Sequence, residues 1–450
     1  MLVLIRLFPK GELSQLWDTI EIEKRYLYWE GVVPLYAIQQ EGKEYVSIVM
    51  DVKTLDSVQN VFLTYFATMT SVRQTKTIPI MSPLYFPLLE GHAKELTRFQ
   101  VYLIVSPDRY DNVYSEVISL EYPKDVMLTY ISHSFGDDDI ILSLLAETEE
   151  AAMDFLNNKI AKIEGVLAHD TSKVLKSIYL QSPEECEKHR DRFLYTVPAG
   201  QKGTLKNPDA YESYRRERTP MTVIVRLYAK QSLDKLWKDI EKNLQDAATK
   251  DLIPLYASQQ DGKDFITVIF EAMNFEVLKD VLTENLSTLV DIRKTRTVPM
   301  LEPTYFLLPK EHPKNLERYL ISLKLEPRKA QAVYTNIRNY NYPQNVFLTY
   351  LTLALGDDDA LLSILAEDAK AVQAFAQNAF DPMDGVINYQ ISTQLKTKRL
   401  APKEVWRRHH KKYVSSFDKQ HEEDFDDDFD WTDDFEEYAA LTGAFVHEFE

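Results

Sequence analysis

The sequence predicts an α+β protein in which four related modules pair into two barrels. One long segment is repeated without a gap at a constant spacing of 220 residues. Residues 2–21 read LVLIRLFPKGELSQLWDTIE, and residues 222–241 read TVIVRLYAKQSLDKLWKDIE. A weaker repeat at a spacing of 94 residues divides each half again, since the Tyr-x5-Gly motif that begins at Tyr36 recurs at Tyr130. Repeats of this length indicate a structural unit that is used several times.

Each module is predicted to follow the order β-α-β-β-α-β. In the first module an apolar strand precedes a helix whose apolar residues recur at helical spacing from Leu13 to Ile20. Two strands at 32–38 and 45–49, separated by a turn that contains Gly42, predict a β-hairpin. A second amphipathic helix and a last strand complete the order, which is that of the ferredoxin-like fold.

The same patterns set the expected domain boundaries. Two ferredoxin-like modules are expected at 1–81 and 221–301, two partner modules at 98–180 and 318–400, a helix with a linker at 183–220, a basic helix at 402–413, and a disordered acidic tail at 418–450.

Two strands indicate that the modules pair into barrels. Residues 140–146 and 361–366 are almost continuously apolar, whereas a strand with one wet face alternates apolar and polar residues. Helices cover one face of each sheet, so a second sheet is the natural cover for the other face. We therefore expect the two modules of each half to form one dimeric-type α+β barrel, with two such barrels in tandem.

Composition limits the class of protein. A chain of 450 residues that is 45% hydrophobic can bury several cores. The single Cys186 excludes an internal disulfide framework and fits a reducing cytoplasm. No apolar run approaches the roughly 18 residues that a membrane span requires. These features predict a soluble, cytoplasmic protein without a membrane partner.

Most of the negative charge lies in the tail. Residues 418–450 hold fourteen Asp and Glu against one Lys, a balance of −13, which leaves −5 of the net −18 for the preceding 417 residues. A mildly acidic body lacks the basic surface of a non-specific nucleic-acid binder, so direct DNA binding is not expected.

The second module of each half carries a more specific pattern. A G-x-x-D hairpin turn precedes an apolar strand and a helix, and a Gly-Val pair precedes the last strand. In these features the second modules resemble the ligand-sensing domain of the leucine-responsive (Lrp/AsnC) regulator family. The turn residues are Gly136, Asp137, Asp138 and Asp139 in the first half, and Gly356, Asp357, Asp358 and Asp359 in the second.

The resemblance implies a fold and a site. In that family the domain dimerises through its sheets into an α+β barrel, and small effectors, typically amino acids, bind between dimers near the hairpin turn. The eight turn residues are therefore the predicted effector site, and a homo-oligomer is expected. No helix-turn-helix pattern precedes any module in this sequence, so we expect the DNA-reading part of the family to be missing.

Chemistry alone leaves the role of the acidic turns open. Three adjacent carboxylates repel one another, and a bound cation, an ammonium group or a basic partner would relieve this repulsion. A solvated hairpin tip tolerates the same charges, because water screens them.

The C-terminal residues carry a second functional signal. Residues 396–412 contain eight Lys or Arg against one Glu, and aromatic residues then follow among the acids. Tracts of this composition are commonly disordered and bind basic or apolar grooves. The predicted contact residues, for a basic protein partner or for the chain's own basic helix, are Phe425, Phe429, Trp431, Phe435 and Tyr438.

Three hypotheses of function follow. The leading one is a non-enzymatic sensing, regulatory or scaffolding protein that binds an amino acid or similar effector and uses no cofactor or metal. The second is a purely structural interaction module. The third is a barrel enzyme, with haem as its candidate cofactor, because haem enzymes related to chlorite dismutase share this barrel architecture. Its sequence support is two pairs of repeated histidines, His92 with His312 and His189 with His409.

Overall fold

The structure is a computed structural model. It describes residues 1–23, 31–61, 65–66, 69–88, 95–196, 203–245, 248–285, 291–309, 312–313, 315–415 and 425–426. The chain divides into two compact units, one of Met1–Met221 with Ala272–Val298 and one of Thr222–Glu271 with Pro299–Glu450.

The first half contains the predicted element order twice. Its elements are β1 (Leu2–Pro9), α1 (Leu13–Glu23), β2 (Val32–Gln40), β3 (Val46–Val52), α2 (Leu55–Val61) and β4 (Val72–Tyr85), followed by β5 (Thr97–Val105), α3 (Tyr110–Ser119), β6 (Val126–Ser134), β7 (Ile140–Ala146), α4 (Glu149–Asn158) and β8 (Val166–Tyr179). A segment with α5 (Pro183–Asp191), β9 (Tyr195–Thr196), β10 (Thr204–Leu205) and α6 (Pro208–Arg215) ends this half.

The second half repeats this arrangement. Its elements are β11 (Met221–Ala229), α7 (Leu233–Leu244), β12 (Leu252–Gln260), β13 (Phe265–Ala272), α8 (Phe275–Asn285), β14 (Ile292–Tyr305), β15 (Leu308–Pro309), β16 (Glu317–Leu325), α9 (Ala330–Arg338), β17 (Val346–Ala354), β18 (Ala360–Ala366), α10 (Ala369–Phe380), β19 (Val386–Arg399), α11 (Lys403–Tyr413) and β20 (Phe425–Asp426).

Eight strands of the first half close into a barrel in the order β1-β3-β2-β8-β5-β7-β6-β4. The two longest strands join the modules: β8 pairs with β5 and continues along β2, and β4 pairs with β1 and continues along β6. Closure leaves no free edge in the sheet. A strand that faces the interior on one side and a helix on the other is covered on both faces, which explains why all seven residues of β7 are buried.

The second barrel has the same order, β11-β13-β12-β19-β16-β18-β17-β14, and all seven residues of β18 are buried. The predicted α+β class with two tandem barrels is therefore confirmed. Within the described part of the chain, no helix combines the length and the apolar character that crossing a bilayer requires.

The helices that cover the strands begin at polar caps and bury one apolar stripe. In α4 the Thr148 side chain accepts a hydrogen bond from the Ala151 amide, and in α10 Asp368 accepts one from Ala371. The stripe of α4 consists of Ala152, Phe155 and Leu156, which belong to the core between this helix and the sheet. These helices thus occupy the outer faces of strands such as β7, whereas β8 and β19 keep exposed apolar residues, among them Leu167, Leu175, Ile387 and Leu395.

Candidate functional site

The acidic turn of the first unit is compensated by bases from neighbouring strands. Asp137 forms an ion pair with Lys76 on β4, and Asp138 accepts a 2.9 Å hydrogen bond from Arg6 Nη2 on β1. Asp139 accepts a 2.7 Å hydrogen bond from the Val105 amide. Three adjacent carboxylates are therefore tolerated because two of them face cations and the third faces a backbone N–H.

The second unit repeats two of these contacts. Asp358 accepts a 2.7 Å hydrogen bond from Arg226, and Asp359 accepts one of 2.8 Å from the Leu325 amide. Burial raises the pKa of Asp139 and of Asp359 to about 7. The effector role of the turns at Gly136 and Gly356 stays a prediction, because these contacts are made with the chain itself.

Two of the repeated histidines contact carboxylates at equivalent places. His189 Nδ1 lies 3.2 Å from Asp51 Oδ2, and His409 Nδ1 lies 2.5 Å from Glu271 Oε2. His409 Nε2 lies 3.3 Å from the hydroxyl of Tyr305. These contacts fasten the helix that follows each half to a barrel strand.

The structure describes one member of the other histidine pair. His312 Nδ1 lies 2.9 Å from the carbonyl oxygen of Pro313, and His92 lies outside the described residues.

The interior of the second barrel holds a cavity of about 40 Å³. Side chains of a strand alternate between its two faces, so every second residue of a barrel strand points inward. Inward positions of β12, β13, β16 and β18 supply most of the wall, and Trp406 of α11 lies at one end. The polar and aromatic wall residues are Tyr256, Ser258, Gln260, Thr267, Arg318, Tyr350, Ser363, Gln394, Thr397 and Trp406.

Arg318 supplies the charge of this cavity. Its residue is 5% exposed, and Nη1 lies 3.4 Å from Thr349 Oγ1 and 3.2 Å from Ser363 Oγ. Among the described residues of the wall, Arg318 is the one that is charged at neutral pH. The wall thus combines a buried cation with hydroxyl, amide and aromatic groups.

The two barrels differ at positions that decide the space inside. In the first barrel the buried Tyr102 accepts a 2.7 Å hydrogen bond from Gln40 Nε2. A shift of 220 residues replaces Tyr102 by Ser322, and the glutamine that corresponds to Gln40 is the wall residue Gln260. A large aromatic side chain thus has a small counterpart in the barrel that holds the cavity. The difference is reversed at the end of the cavity, where Trp406 of the second half corresponds to the much smaller Cys186 of the first.

Sequence reasoning missed Arg318 for an identifiable reason. Arg318 stands at the first position of the module expected at 318–400, where no strand was assigned, whereas β16 begins at Glu317. Once Arg318 lies within the strand, alternation places it with Leu320 on the inward face. A charged residue at an inward position of a buried strand was the signal that could have found the site.

The volume restricts what the cavity holds. A site needs roughly 10–15 Å³ for each water-sized occupant, so this cavity admits about three non-hydrogen atoms, or slightly more if the wall adjusts. Cofactor pockets usually measure at least about 300 Å³, so the residues of this cavity do not fit haem. The ring of His409 lies 6.1 Å from that of the wall residue Trp406, and its two ring nitrogens lie beside Glu271 and Tyr305.

No protein-family model matches this chain, and no curated protein sequence matches it. Solved structures do match, and each of them aligns with about two fifths of this chain. A Lactobacillus acidophilus protein assigned as a monooxygenase is 13% identical over 40% of this chain and 97% of its own, with a TM-score of 0.27. An anthrone oxidase-like protein is 11% identical over 40% and 94%, with a TM-score of 0.28. A variant of the chlorite dismutase from Candidatus Nitrospira defluvii is 13% identical over 42% and 94%, with a TM-score of 0.28.

These comparisons bear on one expectation. The expectation that the chain is not an enzyme is contradicted, because the matching structures carry the names of a monooxygenase, an oxidase-like protein and a chlorite dismutase. At 11–13% identity the likeness concerns the fold and assigns no activity to this chain.

Proposed function

We propose that the second barrel binds a small organic anion, such as a short carboxylate, in its interior cavity. The observation that carries this proposal is the buried guanidinium of Arg318, which is the charged group among the described residues of the wall. A guanidinium beside a cavity offers charge-assisted hydrogen bonds to an anion, and these are stronger where the surroundings have a low dielectric constant.

A carboxylate suits the geometry of the cavity. The guanidinium presents five N–H donors in one plane and binds a carboxylate through two parallel hydrogen bonds. Thr349 and Ser363 contact Nη1 and hold the guanidinium in place. Formate, acetate and the carboxylate end of glycine match the size of the space.

Isothermal titration calorimetry of the full chain with formate, acetate and glycine tests the proposal. We expect one binding site per chain, which Arg318→Met abolishes. The matched control is Arg98→Met at the equivalent position of the first barrel, where the arginine is exposed and lies 3.4 Å from Ser143 Oγ. The control should bind as the unaltered chain does. An equal loss of anion binding in Arg318→Met and Arg98→Met contradicts the proposal. So does a failure of the unaltered chain to bind any of the three anions.

A finer proposal concerns the ligand class and its use. The resemblance of the second modules to the Lrp/AsnC sensing domain supports an amino acid as the ligand and a regulatory role for its binding in the cytoplasm. Glycine should then bind more tightly than acetate, because its ammonium group can donate hydrogen bonds to hydroxyl and amide oxygens of the wall. Tighter binding of the plain carboxylates would contradict the amino-acid proposal and leave the anion site intact.

A further inference from the structure

The segment after the first half covers part of the first barrel. Within the described residues 193–196 and 203–214, which we call the first strap, the ring of Tyr195 lies 5.7 Å from that of Phe86 in an edge-to-face contact. Leu205 and Tyr211 of the first strap pack against the same core cluster as Ile118. The first strap thus shields apolar surface beside α3.

The second unit has a groove at the equivalent place. Its volume is about 520 Å³, and Phe306, Tyr334, Arg338, Tyr340 and Ser415 contribute to its wall. Phe306 and Ser415 correspond to Phe86 and Tyr195 of the first unit by the shift of 220 residues. The groove therefore lies where the first unit carries its strap.

The backbone enters and leaves this region as it does in the first unit. Val414 forms a parallel bridge with Tyr305, just as Leu194 does with Tyr85. Beyond Ser415, the described residues Phe425–Asp426 form β20, which pairs with β15 at Leu308–Pro309, two residues after Phe306. The tail backbone is thus held beside the groove on both sides of residues 416–424.

The tail sequence matches the first strap in its apolar positions. The same shift places Phe425 on Leu205 and Trp431 on Tyr211. Both replacements are aromatic residues, which bury a large apolar area when they dock.

Charge also differs between the two places. Ser82, Asp111 and Ile118 of the first unit become Glu302, Gln331 and Arg338 in the second, so the wall keeps one carboxylate at another position and gains one cation. Residues 424–435 of the tail contain seven Asp. Arg338 therefore offers an acidic, aromatic segment a countercharge that the first unit lacks at this position.

We propose that residues 424–435 of this chain dock into the groove of the second unit as a second strap, with Phe425 and Trp431 as apolar anchors and Arg338 as the countercharge. The tail and the groove belong to the same chain, so the tether gives a high effective concentration and favours this occupant over a partner in solution.

Fluorescence of the full chain tests the proposal. The emission of Trp431 is obtained by subtracting the spectrum of Trp431→Phe from that of the unaltered chain. We expect the emission of a buried indole that acrylamide quenches poorly. Arg338→Glu should raise the quenching constant about threefold or more, and high salt should act in the same direction. Arg338 is exposed, so its replacement is compatible with folding, which circular dichroism verifies.

Phe449→Ala, a change to an aromatic residue of the tail outside the proposed strap, is the matched control and should leave the quenching constant unchanged. An exposed Trp431 in the unaltered chain overturns the proposal and assigns the tail to a basic partner. Protection of Trp431 from acrylamide that depends on protein concentration also overturns the proposal, because a second copy of the chain would then supply the tail. Protection that is independent of concentration and lost in Arg338→Glu supports it.

Discussion

His409 Nδ1 lies 2.5 Å from Glu271 Oε2, and the same pair recurs in the first half as His189 with Asp51. In both halves a histidine of the following helix contacts a carboxylate of a barrel strand. Arg192 Nη1 adds a 2.6 Å hydrogen bond to Asp51. Although burial opposes ionisation, the hydrogen bond with His189 and the nearby N-terminal ammonium lower the pKa of Asp51 to about 2.

We predict that Asp51→Asn lowers the free energy of unfolding by about 2 kcal/mol at pH 7. The folded-state pKa of Asp51 is lower than the unfolded value, so its contribution is present above pH 4 and disappears as the pH falls towards 2. Urea denaturation at pH 7 and pH 3 measures the difference. Asp170→Asn, which removes the ion pair of Asp170 with Lys43 at the surface, is the control and should change stability by less than about 0.5 kcal/mol. A larger effect of the control would contradict the role assigned to burial.

The turn carboxylates titrate in the opposite sense. Burial raises the pKa of Asp139 and Asp359 to about 7, so the folded chain retains protons that the unfolded chain releases from about pH 4 upward. Stability from this source therefore falls as the pH rises from 4 to 7 and is constant above that range.

We predict that Asp139→Asn stabilises the chain at pH 8 and flattens the dependence of the free energy of unfolding on pH. The asparagine oxygen can still accept the hydrogen bond from the Val105 amide. Asp139 keeps some exposure to solvent, so we expect about 1–2 kcal/mol rather than the full value that the shift implies. Thermal unfolding from pH 4 to 8 measures the effect. Parallel pH profiles for the variant and the unaltered chain would contradict the prediction.

Glycine is required before the last strand of the second modules. Gly385 has φ +103°, and a Cβ there would lie 2.5 Å from Lys329 Cβ. We predict that Gly385→Ala costs about 3 kcal/mol or more, because strain and a clash with a nearby Cβ combine. Gly262→Ala is the matched control. Its φ is +69° and no atom lies within 4 Å of the added carbon, so the cost should be about 1 kcal/mol. Chemical denaturation compares the two, and equal costs would show that the contact with Lys329 has no effect.

Tyr102 fills space inside the first barrel. We predict that Tyr102→Ala lowers the free energy of unfolding by about 3–5 kcal/mol, because it leaves a cavity and removes the hydrogen bond with Gln40. Ser322→Ala, the equivalent position in the second barrel, should cost less than about 0.5 kcal/mol. Guanidinium denaturation of both variants checks this. A small cost for Tyr102→Ala would mean that neighbouring side chains collapse into the vacated space.

Much of the fold was predictable from the sequence. The 220-residue repeat, the alternation of strands and helices and the apolar strands 140–146 and 361–366 predicted two barrels, because such patterns report which residues are buried. The Lrp/AsnC resemblance directed attention to the acidic turns. It could not show that Asp138 contacts Arg6, which lies 132 residues away and becomes a neighbour when the barrel closes.

The candidate site likewise depends partly on features that the sequence shows and partly on features that the tertiary structure creates. The sequence by itself determined that four similar modules exist, that their strands are buried on both faces, and that an acidic aromatic tail follows, since these properties depend on local order and composition. Only the tertiary structure decided that Arg318 lines a cavity and that Tyr102 is buried in the first barrel against Gln40. The direction of a side chain follows from the start of its strand, and the space around it follows from the closure of eight strands.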